Sequence, residues 1–557
     1  MHRPNLHSLR FVGSMLLLLA LLLAGGAHAD YLGGITFDHD VPSYLPHDQR
    51  VYISIDYKID DPGGGRIFAR PYANGSLAPS YVASGAAVLA QGTGTTEQWF
   101  AITSGEITID EIRIRLVSPD QTETWLEFFV PVTFVYGPHG VFDIQPNHRE
   151  YSYLKHGMTF EVDFSYAVDA PSCRIFARPW NGSHLEPGYG ASGSALLPPS
   201  GTYSQYFSFD ADGDMSHIRF QVKSADQSEL YAEFFVPFDL HWREIGIYDI
   251  SFDHDDLTSL HNQQNVVASY TVDHDEPNGL YTWAWTMLEG SVAPGTVYQP
   301  SPLLPPGPTT VSRYTRIQYA TSWSDAIHLV VGLPGDRHLE IDAPLLVHFG
   351  PHALPDVRFE PAPPAMLSYG ERLEMEFDYA TDEAAGVRIF GRAAFDQVGL
   401  FGMTSAGSPL YPAPSGVGHF WMYYASPTEA NSIAFVVTND DQSEQLFQWF
   451  EPGQFIWAES ATITAAEAVA AATALGSCYP NPFNPTTTIP VTLARETEVR
   501  LAIYDLRGRL VRELHDGVMA AGRHAVPFDG SGLTSGVYLC RLESPAGART
   551  QRLTLLK

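Results

Sequence analysis

Arg66-Ile67-Phe68-Ala69-Arg70-Pro71, followed at once by the turn Asn74-Gly75-Ser76, is the stretch on which the fold depends. It returns as Arg174-Ile175-Phe176-Ala177-Arg178-Pro179 with Asn181-Gly182-Ser183, and in eroded form as Arg388-Ile389-Phe390-Gly391-Arg392. Other blocks keep step: Glu289-Gly290-Ser291 matches the turn, and Asp120-Gln121-Thr122-Glu123 recurs as Asp226-Gln227-Ser228-Glu229 and Asp441-Gln442-Ser443-Glu444. The spacing gives four copies, at 30–140, 141–246, 247–352 and 353–458. A unit of this length is a whole domain, unlike the roughly 20 to 50 residues of a solenoid repeat, which cannot bury a face alone. Each copy is therefore expected to fold by itself.

Within a copy the hydrophobic period is two. Ile112, Ile114 and Leu116 alternate with Arg113, Arg115 and Val117, and Ile218, Phe220 and Val222 with Arg219, Gln221 and Lys223. That is a strand with one face buried and one wet. Asn-Gly between two such runs signals a type I′ hairpin. Phe128-Phe129-Val130-Pro131 and Phe234-Phe235-Val236-Pro237 are expected at an edge or strand end, because proline donates no ladder hydrogen bond. The third copy departs most: Tyr281-Thr282-Trp283-Ala284-Trp285 replaces the Arg-Ile-Phe block, and a proline-rich loop spans 299–308. The predicted class is all-β, four tandem Ig-like sandwiches and a fifth, C-terminal one.

Composition agrees with a large exported molecule. The 557 residues are 45% hydrophobic and 17% charged, enough for several cores, since single cores stop growing near 250 to 300 residues. A formal net charge of -31 excludes a phosphate-neutralising surface and so nucleic acid. Arg3 and Arg10 precede the apolar run 11–23, and Ala27-His28-Ala29 offers small residues for a signal peptidase, so residues 1–29 read as a leader cut after Ala29. With no second long apolar run, the mature chain is expected to carry no transmembrane span. Three cysteines make no disulfide framework; Cys478 and Cys540 share a domain and their pairing stays open. The alanine-rich stretch 459–477 reads as a spacer.

The search for chemistry yields no catalytic residue. Gly188-Tyr189-Gly190-Ala191-Ser192-Gly193 matches a dinucleotide fingerprint in letters, but that motif works between a parallel strand and a helix, and no helix is expected after it. Asp210, Asp212 and Asp214 space three carboxylates around Gly213, which lets oxygen ligands converge on calcium; the alternative is a solvated acidic turn. No other cofactor is expected. Asp38-His39-Asp40 and Asp253-His254-Asp255-Asp256 read as exposed strand ends, with a metal site as the alternative. Tyr81, Tyr189 and Tyr298 sit at corresponding places among Pro, Gly, Ser and Ala, where tyrosine suits polar or sugar contacts, against the plainer reading of rim packing. Trp99, Trp125, Trp180, Trp242, Trp283 and Trp285 divide between the same two readings.

The last eighty residues differ from the copies. Tyr479-Pro480-Asn481-Pro482-Phe483-Asn484-Pro485 opens them in extended form. Val499, Leu501 and Ile503 then alternate with Arg500, Ala502 and Tyr504, a turn around Gly508 follows, and Leu533-Thr534-Ser535-Gly536-Val537-Tyr538 precedes a final strand ending in Leu553 and Leu555. These motifs, in this order, resemble the type A C-terminal sorting domain of type IX secretion, itself similar to the Ig-like domain of hook-capping proteins. The resemblance covers 478–557 and implies an Ig-like sandwich, handling by the type IX machinery, passage across an outer membrane, and a cell-surface or extracellular destination with attachment to surface polysaccharide. Its sorting residues fall on Tyr479, Pro480, Asn481, Pro482, Phe483, Asn484, Pro485, Gly508, Gly536 and Tyr538. The expected function is non-catalytic display, adhesive or binding an extracellular glycan; the alternatives are a structural spacer or envelope component, and a divergent hydrolase.

Overall fold

The computed structural model describes residues 30–458 and, beyond them, 474–475, 486–493, 497–505, 509–519, 522–533, 536–544 and 547–555. Every regular element among these is a β-strand. The second segment shows the plan. Phe160, Val162, Phe164 and Phe207 from one sheet meet Ile175, Ile218, Phe220, Val222, Leu240 and Trp242 from another, all within 2% of full burial. At roughly 1.5–3 kcal/mol for each large apolar side chain removed from water, such a cluster is what holds a sandwich together.

The segments differ from independent sandwiches in one respect: they share their sheets. One nine-stranded sheet joins the first and second segments, placing Thr124–Gly137, Ser43–Pro46, His139–Pro146 and Thr159–Val168 side by side. Another joins the second and third through Leu230–Arg243, Ser152–Lys155, Gly246–Phe252 and Val266–Asp273. A third joins the fourth back to the first, through Gln445–Ala458, Ala365–Ser368, Tyr31–Phe37 and Val51–Ile59. Between the third and fourth, Thr258–His261 runs parallel to Asp336–Gly350, and its Ser259 Oγ lies 3.5 Å from the Leu354 amide of His352–Glu360. The arrangement is a closed ring.

Each junction uses a four-residue strand. Ala365–Ser368, for example, pairs parallel to Gln445–Ala458 on one side and antiparallel to Tyr31–Phe37 on the other. Alternation then sends successive side chains to different cores. Met366 and Leu32 enter the first core, while Leu367 and Tyr31 enter the fourth, so neighbouring cores lie on opposite faces of the shared sheet. Three of the junctions are also bridged by the chain itself. The seam between the fourth and first segments is held by contacts alone. The Asp30 amide donates to Ser368 Oγ at 2.7 Å, the Gly34 amide to the Ala362 carbonyl at 2.9 Å, the Tyr31 hydroxyl to Glu360 at 2.6 Å, and Lys58 Nζ to Glu371 at 2.7 and 2.8 Å.

Two local expectations need correction. The Phe-Phe-Val-Pro segments do not end at proline: Thr124–Gly137 and Leu230–Arg243 run through Pro131 and Pro237 as interior strands. A register shift follows each proline, so the missing N–H falls at a β-bulge where the ladder is interrupted anyway. Pro344 and Pro452 repeat the device. The type I′ turn holds at Asn74-Gly75, where φ is 51° and 72°. In the second segment the two-residue loop slips one residue, onto Gly182-Ser183 between Asn181 and His184, and only Gly182 takes a positive φ, 58°, as a type II′ turn requires. The Asn-Gly-Ser repeat is one residue shorter than the Arg-Ile-Phe repeat there, and the ladder absorbs the difference.

The C-terminal segment is a separate sandwich. Residues 474–475, 486–493 and 522–529 form one sheet; Leu510–Met519, Thr497–Asp505, Gly536–Ser544 and Gly547–Leu555 form the other. Val499, Leu501, Ile503, Leu542, Leu553 and Leu555 are buried between them. In Gly536–Ser544 the inward row is Tyr538, Cys540 and Leu542.

Candidate functional site

Two of the three carboxylates of the acidic loop bond side chains already in the chain. Asp212 lies 2.8 Å from His156 Nε2, and Asp214 lies 2.6 Å from His241 Nδ1 and 2.7 Å from Arg243. The His241 hydrogen bond, with Arg243 behind it, holds the Asp214 carboxyl down to about 2 against burial. His241 is itself pulled down by burial but pushed up further by Asp214 and Asp239, to about 9. Asp210 is exposed. Among the described residues no three His, Cys, Asp or Glu side chains converge as a metal ion would require. Asp38-His39-Asp40 is not a simple exposed strand end. His39 is 7% exposed and bonds Asp143 Oδ1 at 2.9 Å, which clamps the first segment to the second.

Tyr81 and Tyr189 open equivalent short edge strands, opposite Ile102 and Phe209, but Tyr298 does not correspond to them: the matching place is Thr296, opposite Ile317, and Tyr298 lies two residues on, opposite Thr315. Their neighbours differ. Tyr81 lies beside Arg70 and Tyr189 beside Arg178, which sits over its ring at 6.0 Å, whereas Tyr298 packs on Trp285 with ring centroids 5.6 Å apart.

That difference extends over the whole face turned away from each core. In the first segment Arg70 lies over Phe68 at 5.0 Å and Arg113 over Tyr72 at 4.9 Å. In the second, Arg178 lies over Phe176 at 5.1 Å and Arg219 over Trp180 at 4.7 Å. These arginines come from the sheet itself, so the aromatic faces are occupied by built-in cations. In the third segment the ladder places Trp285 where Arg70 and Arg178 stand, paired with His328 where Arg113 and Arg219 stand. Tyr281, Trp283 and Trp285, alternate residues of Leu280–Leu288, then line one face. Tyr281 and Trp283 stack at 5.9 Å with planes 26° apart. Val330 is buried in the same small cluster as Trp283, Trp285 and Met287. Beside this row His328 bonds Asp342 at 2.6 Å and Glu340 at 2.9 Å. Burial pulls the imidazole down, but these two hydrogen bonds outweigh it and leave it raised. Arg337, 53% exposed at its side chain and on the adjoining hairpin, reaches over Trp285 at 5.3 Å. Trp285 is 9% exposed, and its indole Nε1 has no hydrogen-bond partner.

Sequence reading named Trp283, Trp285 and Tyr298 but missed His328, Glu340 and Asp342. Only the strand register brings them together, and register is invisible in a single chain.

A concavity of about 700 Å³ lies where the first three segments meet. Val141, Phe142, Val236, Pro237 and Phe252 form its apolar walls, with Asp40, Asp143, Glu150 and Asp256 among its lining. Loss of water, reinforced by the Asp239 charge, pushes the Glu150 carboxyl up to about 7. Cys173 and Cys540 are buried and free, and Cys478 lies outside the described residues.

Residues 477–555 match the family model of the secretion system C-terminal sorting domain. The chain carries a type IX sorting domain. It is therefore exported across the outer membrane, to the cell surface or the extracellular space. Within the sorting domain, Gly536 opens a strand and Tyr538 is buried opposite Asp505 and Leu553. Tyr479 through Pro485 and Gly508 lie outside the described residues. Among the described residues no helix is long and apolar enough to cross a membrane. No curated protein matches the chain. Among solved structures it is similar to trypsin-activated α-2-macroglobulin of Escherichia coli, at 11% identity over 95% of this chain and 37% of that one, with a TM-score of 0.24. A marsupial T cell receptor matches at 8% identity over 55% of this chain and 99% of that one, with a TM-score of 0.18. The chain thus spans well under two thirds of the macroglobulin, and neither likeness bears on its function.

Proposed function

We propose that the exported protein is a non-catalytic display molecule of the cell surface, adhesive or glycan-binding, with the ring of 30–458 as its working part. The observation that carries this reading is the sheet face turned away from the core within each segment: rows of aromatic and charged side chains, held rigid by the ladder beneath them. Such a surface offers large, pre-ordered contact area at little entropic cost, which is what a binding face needs. Export supports it too, since a recognition surface is useful only where partners are. The sorting domain would hand the ring to surface polysaccharide.

The test is an array of glycans and extracellular-matrix proteins probed with purified 30–458. Saturable binding to at least one class is expected. Silence across the array would favour a structural spacer, and turnover of a bound glycan would favour a hydrolase.

A further inference from the structure

We infer that the third segment carries a binding site for neutral, β-linked oligosaccharides on the strip formed by Tyr281, Trp283 and Trp285, a site that rests on the glycan-binding reading above and gives it an address. The reason is the contrast among the segments. An aromatic ring binds a sugar by receiving the apolar C–H face of the pyranose, so the ring must be open. In the first two segments the rings are covered by Arg70, Arg113, Arg178 and Arg219, strand residues of the same sheet, of which Arg113 pairs with Glu127 at 3.6 Å and Arg219 with Glu233 at 2.6 Å. In the third segment those positions hold Trp285 and His328; Arg337, a strand residue paired with Glu340 at 2.8 Å, covers the 9%-exposed Trp285, while among the described residues no guanidinium lies over the half-buried rings of Tyr281 and Trp283, which are the open part of the strip.

Three further features give the ligand its class. Tyr281 and Trp283 stand nearly parallel along a strand, which suits successive pyranoses whose equatorial linkages keep the chain flat. Indole Nε1 of Trp285 is a buried donor without a partner, and a sugar hydroxyl or ring oxygen supplies the missing acceptor; an unmet donor of this kind is costly to leave in a native fold. Asp342 and Glu340, 56% and 38% exposed at their side chains, border the strip and can accept from hydroxyl groups. Together with the net charge of -31 they repel uronates and sulfated chains.

The experiment uses 30–458 and a panel of neutral β-linked hexaoses (cello-, xylo- and manno-), with a galacturonate hexamer as the anionic probe, read by calorimetry and tryptophan emission. At least one neutral hexaose should bind and shift the emission, and the uronate should not. Trp283→Ala and Tyr281→Ala should each weaken binding tenfold or more. Trp285→Phe, which keeps a ring and deletes Nε1, should weaken it several-fold. Phe176→Ala on the arginine-covered face of the second segment should leave it unchanged, and thermal melts confirm that each variant is folded. If a neutral hexaose binds wild type and the third-segment variants equally, the address is wrong while the glycan reading stands. If only the anionic probe binds, the ligand class is wrong. If wild type binds neither these nor anything on the wider array, the glycan reading itself falls.

Discussion

Loosening the seam should open the ring without unfolding its segments. The perturbation is Leu32→Ala with Ser368→Ala. Leu32 is fully buried in the first core, and truncating a buried leucine costs about 2–5 kcal/mol. Ser368 Oγ accepts from the Asp30 amide at 2.7 Å and donates to the Asp30 carbonyl at 3.1 Å. Its loss removes both bonds that the hydroxyl makes to wholly buried Asp30, at about 1–3 kcal/mol. The Ser368 loss falls on a junction with no covalent link, and the Leu32 cavity weakens the first-core footing of the strand that forms it, for about 3–8 kcal/mol in all. The matched control is Ile247→Ala, the corresponding fully buried residue between the second and third segments, where Leu230–Arg243 passes almost directly into Gly246–Phe252. Hydrogen exchange should show loss of protection at Tyr31–Phe37 and Ala365–Ser368 in the double variant only, and small-angle scattering should show a larger radius of gyration. Unchanged seam protection, or equal expansion in the control, would refute ring closure as the source of that stability.

Other consequences are narrower. Lys58→Met leaves the 9%-exposed Glu371 side chain unpaired and should lower stability by about 2–4 kcal/mol in denaturant titration, with Glu371→Leu in the same chain recovering most of it. Burial against Phe447, Trp449 and Trp323 pushes His348 down to about 4, so the unfolded chain binds its proton first. Stability should therefore be complete above pH 6.5 and fall by up to about 3 kcal/mol as pH drops toward 4, a slope that His348→Leu should remove. Glu150 works in the same sense as any raised carboxyl: its ionisation between its ordinary range and about 7 opposes folding, so Glu150→Gln should raise the melting temperature at pH 8 and leave it unchanged at pH 4.

The β character and the inward rows Ile112-Ile114-Leu116 and Ile218-Phe220-Val222 were legible because period two is a local signal. Val499, Leu501 and Ile503 were legible for the same reason. Sheet sharing was not legible. Ser43–Pro46 and Ala365–Ser368 are four residues long, too short for any period, and the partner of Tyr31 is Leu367, far down the chain. Pro131 misled because its penalty is local while the bulge that absorbs it depends on a second strand. The third segment's strip was half visible: its tryptophans could be read, but the arginines it lacks gain meaning only when the register places Trp285 and His328 in their stead.

Ser368 bonds Asp30 through backbone and side chain on one side, and lies opposite Ala458 on the other. The ring's first and last residues therefore leave from a single point. An anchor applied through the C-terminal segment would hold the ring like a pendant by its seam, with the second and third segments hanging farthest from the membrane. The strip at Tyr281, Trp283 and Trp285 belongs to that outer half, where a distant surface is met first.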